Sequence, residues 1–98
     1  MKTLTFNRCD WSGEEITVEF TEEDGGFRFE FAGYEFCLAP CAGLDDLALT
    51  SPEWEFPLFH VHRHTDRYCP TYAAISLGVE RETEHPVQTA VQILCNTL

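Results

Sequence analysis

Between Gly26 and Ala32 the chain reads Phe27-Arg28-Phe29-Glu30-Phe31, with aromatic rings at every second position and charges between them. Strand side chains alternate between faces with period two, so the rings belong on one face and Arg28 and Glu30 on the other. A helix would scatter the same rings around its circumference. Asp24-Gly25-Gly26 before the ribbon and Ala32-Gly33 after it are turn signals, and Tyr34 to Leu38 alternates again beyond them. A two-faced sheet of this kind needs a second apolar layer against its rings.

The rest of the amino-terminal half extends that sheet. Lys2 to Arg8 predicts a first strand with Leu4 and Phe6 inward, and Trp11 in the turn that follows covers a sheet edge or core margin. Ile16, Val18 and Phe20 define a second strand, with Thr17, Glu19 and Thr21 on its other face. Such alternation marks an antiparallel sheet that is wet on one side. Gly25 and Gly26 are expected to take the positive-φ positions of a tight hairpin. Ala32-Gly33 predicts either a turn between two strands or a bulge in one longer bent strand.

Pro40 is expected to open a short helix or compact loop reaching Leu49, because Leu44, Leu47 and Ala48 stand at i, i+3, i+4. Leu58 to His64 predicts a fifth strand, and Thr65-Asp66-Arg67 a turn. Ala73, Ile75, Leu77 and Val79 alternate as a sixth strand, with a helix over Tyr72 to Leu77 as the alternative. Pro86 starts a terminal helix whose Val87, Ala90, Val91, Leu94, Cys95 and Leu98 form one apolar stripe, capped in the region of Thr83, Glu84 and His85. A helix of about 12 residues is marginal alone in water and needs the sheet to lie on. Six of the eight phenylalanines fall between Phe6 and Phe36, so the principal core belongs beneath the amino-terminal strands. The expected architecture is α+β, a single compact domain over residues 1–98. In it an antiparallel sheet of four to six strands carries the C-terminal amphipathic helix on one face.

Charge narrows the classes of function. Seventeen carboxylates against six Lys and Arg give a formal charge of -11, carried mostly by the first fifty residues. Such a field repels phosphate backbones and anionic membranes and steers towards basic partners. No stretch approaches the roughly 20 apolar residues that span a bilayer. The five cysteines (Cys9, Cys37, Cys41, Cys69 and Cys95) are odd in number, and the start of the chain alternates like a strand where a secretory signal would be apolar. A soluble protein of the reducing cytoplasm fits these features.

Among candidate chemistries, His60-x-His62-x-His64 followed by Cys69 stands out. A strand would put all three imidazoles on one face, successive ones about 7 Å apart. Zinc holds ligands at about 2.0–2.3 Å, so two of these histidines with Cys69, and Cys37 or Cys41 as a fourth ligand, make a tetrahedral set, while three along a straight strand do not. A zinc-binding structural domain is therefore the competing expectation. A thiol-dependent enzyme built on Cys69 and a neighbouring histidine is the further one. Cys37 and Cys95 are expected to be small buried hydrophobes. The adjacent carboxylates Glu14-Glu15, Glu22-Glu23 and Asp45-Asp46 lack the spacing of a calcium loop. Phosphate-cradling, metalloprotease and nucleophile-elbow motifs are absent from the sequence.

The leading expectation is a non-enzymatic protein-binding module without a cofactor. Glu15, Glu19, Glu30 and Glu35 share the wet face of the sheet with Arg28, and Glu22, Glu23 and Asp24 crown a hairpin. Carboxylates on a rigid sheet can imitate the phosphates of a nucleic acid and occupy a basic site on a protein. A sheet edge can also pair with a partner strand or with a second copy of the chain as a homodimer. In general character, this charge balance is similar to that of small phage-encoded inhibitors of host defence.

Overall fold

The computed structural model describes residues 1–7, 13–41, 46–54, 57–64, 67–70 and 83–97. Among these residues seven strands follow one another as neighbours in a single antiparallel sheet. They are β1 (Lys2–Asn7), β2 (Glu15–Glu23), β3 (Gly26–Phe31), β4 (Tyr34–Pro40), β5 (Asp46–Thr50), β6 (Phe59–His64) and β7 (Arg67–Pro70), and helix α1 (Pro86–Thr97) closes the described chain. The sheet has more strands than the four to six expected, and two segments account for the difference.

The first is β5. A helix or loop was expected up to Leu49, but Asp46–Thr50 pairs with β4 on one side and β6 on the other. Leu47 and Leu49 point inward and are buried, and Ala48 between them is half-buried on the outer face. The leucine spacing satisfies a helical and a strand period over so short a run, and two flanking strands needing partners decide for the strand. Residues 42–45 lie outside the described part. The second is β7, which the sequence did not announce; it pairs with β6 from Val61↔Pro70 to His64↔Arg67. The alternating run from Ala73 to Val79, like Trp11 and Cys9, lies outside the described residues.

The alternation of the amino-terminal strands is as expected, and one glycine assignment in their hairpin is not. Phe29 pairs with Phe20 on one side and Phe36 on the other, so the rings form a row across three strands on the inner face. Ala32 (φ 55°) and Gly33 (φ 83°) make a two-residue turn between separate strands, not a bulge. In the preceding hairpin the positive-φ positions are Asp24 (49°) and Gly25 (80°). Gly26 instead lies within β3, where a Cβ would stand 2.2 Å from the Leu38 carbonyl oxygen. Glycine is needed there for close approach of two backbones, not for its turn conformation.

Helix α1 touches β3, β6 and β7, strands far apart in the sheet order, so the sheet must curl around it. The helix is buried beyond its expected stripe: Val87, Ala90, Val91 and Leu94 are joined by Thr89, Gln92 and Ile93. The two polar members are hydrogen-bonded. Thr89 Oγ1 meets Thr83 Oγ1 and donates to the His85 carbonyl at 3.3 Å, and Gln92 Nε2 donates to the Asn7 carbonyl at 3.4 Å. The core therefore extends from Phe6 and Val18 through Phe36 and Leu38 to Phe59 and Val61, under the whole sheet and not the amino-terminal strands alone.

The start of α1 is fixed by His85. Its Nδ1 accepts from the Val87 backbone N–H at 3.2 Å, and its carbonyl accepts from Thr89 N–H at 3.1 Å. Its ring lies 4.8 Å from that of Phe20 and 5.0 Å from that of Phe27. Burial lowers the pKa of His85, Glu22 opposes that shift, and Lys2 adds to it. Just before it, Thr83 exchanges two backbone hydrogen bonds with Tyr68 and so covers the free side of β7 at that point. Among the described residues, no helix is long and apolar enough to cross a membrane.

Candidate functional site

The outer face of the sheet carries two groups of polar side chains, because each inward apolar residue fixes its chain neighbours outward. On β2, β3 and β4 the group is acidic. Glu15, Glu19, Glu23, Glu30 and Glu35 are all exposed, and the outward positions of these strands hold a single basic residue, Arg28. Glu30 and Glu35 stand directly opposite each other in the β3–β4 ladder. Arg28 reaches Glu35 at 3.6 Å and Glu23 at 3.5 Å. These pairs are about half exposed, where an ion pair adds little stability.

Thr17, Glu19, Thr21, Arg28, Glu30 and Glu35 line a shallow open hollow of about 460 Å³. Glu22 and Asp24, also exposed, belong to the β2–β3 hairpin end. Glu22 has the inward parity of Phe20 and meets Lys2 Nζ at 3.0 Å. The expected acidic residues thus divide between a face, with Glu23 at its margin, and a hairpin tip. An aromatic corner that no sequence pattern announced lies on the inner side of β4, where Tyr34 has the inward parity of Phe36. Trp54 stacks on Phe36 at 6.0 Å and lies 5.3 Å from Tyr34, leaving Trp54 and Tyr34 each 38% exposed. Ser51 positions this corner by donating to the Glu35 carbonyl at 2.7 Å.

The second group lies on β5, β6 and β7. Asp46 pairs in register with His62, and His62 with Cys69, so the three stand in one row across the sheet. Cys69 Sγ and His62 Nε2 are 3.2 Å apart, and the thiol also lies 3.8 Å from the His62 carbonyl oxygen. The Asp46 carboxylate is 4.0 Å from His60 Nδ1. Strand β6 therefore divides its histidines: His62 meets the thiol and His60 the carboxylate. His64 ends the strand, paired with Arg67.

Among the described residues, no three His, Cys, Asp or Glu side chains converge as a metal set, and the one close pair of the expected zinc ligands is Cys69 with His62. None of Cys37, Cys41, Cys69 and Cys95 is in a disulfide. Cys95 is buried as expected, whereas Cys37 is only half-buried, on the outer side of β4 between inward Phe36 and Leu38. No protein family, curated protein or solved structure matches this chain.

Proposed function

We propose that this protein is a non-enzymatic binding module that docks a basic surface of a protein partner on the outer face of β2, β3 and β4, in the manner of a nucleic-acid mimic. The observation that supports this most directly is the Glu30↔Glu35 pair. Like charges directly opposite in an antiparallel ladder are destabilising, and an exposed position accepts a neutral residue without loss of packing. A fold that keeps two carboxylates there, with Glu19 and Glu23 nearby and one arginine among them, retains charge that folding does not need. A partner presenting lysines and arginines would gain what the fold loses.

The test is capture of basic proteins from a cell lysate on the immobilised chain, eluted in steps of rising salt. A captured partner should leave as salt rises and should be displaced by added duplex DNA or RNA, which competes for the same basic site. The double variant E30Q/E35Q should capture it weakly while remaining folded, with a raised melting temperature because the opposed charges are gone. Capture that is indifferent to salt, to nucleic acid and to the double variant would remove the basis of the proposal.

A further inference from the structure

We propose that Cys69 is a nucleophilic thiol activated by His62, and that it takes small-molecule disulfides in thiol–disulfide exchange. This site is separate from the acidic docking face. It rests on the cross-strand pairing of Cys69 with His62 and on the 3.2 Å approach of Sγ to Nε2. Both side chains are half-buried, so the thiol is held in place and still reachable.

The surroundings add a second argument. Reactive thiols occur beside Lys, Arg or histidine, and such residues are concentrated around Cys69, although Asp46 stands in the same row beyond His62. Three of the protein's four histidines and two of its six Lys and Arg fall between His60 and Arg67, on the two strands that form the pair. Arg67 stands two residues before Cys69 on β7. Exchange asks for no groups beyond the pair. The thiol proton passes to Nε2, and the sulfur lone pair attacks one sulfur of the disulfide. A new S–S bond forms as the old one breaks, and the departing thiolate recovers the proton from the imidazolium. Electrons balance within the two disulfides, and no other oxidant is required.

The test uses the full-length chain, stripped of metal with a chelator, and iodoacetamide as the probe. Alkylation is followed cysteine by cysteine by peptide mass spectrometry. An unactivated thiol is only a few per cent thiolate at neutral pH, so Cys69 should react about tenfold faster than Cys37 and Cys41. It should also react faster in the folded protein than in urea, the reverse of a thiol that is merely shielded. H62Q should bring its rate down to that of Cys37, and H60Q should not. A mixed disulfide with oxidised glutathione should form first at Cys69.

If H62Q does not fold, the comparison of folded with unfolded wild-type protein still decides. Slower labelling of Cys69 when folded would overturn the proposal, as would a rate advantage that survives in folded H62Q. Protection of Cys69 by one equivalent of zinc alone, without any rate advantage in its absence, would also overturn it and make the pair a ligand set.

Discussion

Gly26 and Ala32 bound the same strand, and the backbone asks opposite things of them. At Gly26 the difficulty is space, since any Cβ would run into the Leu38 carbonyl oxygen. Gly26→Ala should therefore cost about 1–3 kcal/mol, the range for overpacking a well-packed site, read as a lower denaturant midpoint. At Ala32 the difficulty is conformation: a residue with a Cβ is held at φ 55° in a turn that places it in the open. Left-handed backbone costs an ordinary L-residue about 1–2 kcal/mol, and asparagine tolerates it better. Ala32→Asn should stabilise by about 0.5–1 kcal/mol in the same denaturation experiment. The Ala32-Gly33 pair was legible as a turn signal because its glycine is. The role of Gly26 was not, because sequence shows that a glycine is present and not which neighbouring backbone it admits.

Elements were legible where period and length agreed. The ribbon at Phe27–Phe31 and the helix at Pro86 each have a pattern that only one secondary structure satisfies. Asp46–Thr50 has two leucines on a five-residue strand, too few to separate a strand from a helical turn, and its partners on both sides settled the matter. For the same reason the His62–Cys69 contact could be expected only as one of several pairings; the register of β6 against β7 selects His62. Burial of α1 beyond its apolar stripe was hidden by Thr89 and Gln92, which look solvent-facing until their hydrogen-bond partners are known.

The cap of α1 gives a prediction at this scale. His85 is neutral where its Nδ1 accepts from Val87, and a proton there would abolish that bond and set a cation at a helix amino terminus. Burial holds its folded pKa below the ordinary 6.5, with Glu22 acting against the shift and Lys2 with it. The unfolded chain thus takes up a proton that the folded chain refuses. The stability linked to His85 is fully present above about pH 6.5 and is lost as pH falls from there towards the folded value. Asparagine keeps a capping oxygen but does not titrate. His85→Asn should lower stability at pH 8 through lost ring packing, yet flatten its decline between about pH 7 and pH 5.5. An unchanged slope would mean that other groups govern acid sensitivity.

For the molecule as a whole, the charge of -11 acts in two opposite senses. Within the fold it is self-repulsion, which destabilises the compact state, and the opposed Glu30 and Glu35 are its most local expression. Towards a basic partner it is attraction. Salt screens both, since the Debye length falls from about 30 Å at 0.01 M to about 10 Å at 0.1 M. Adding sodium chloride over this range should therefore raise the melting temperature while it weakens docking. A gain of about 1 kcal/mol corresponds to about 4–8 °C for a domain of this size, large enough for calorimetry. The double variant E30Q/E35Q should start from a higher melting temperature and gain less from salt. Repulsion on the outer face and attraction to a partner would then be linked to the same two side chains. If the wild-type melting temperature falls with salt, the exposed ion pairs of Lys2 and Arg28 outweigh the repulsion. The acidic face would then be a stabilised surface, with no excess charge held ready for a partner.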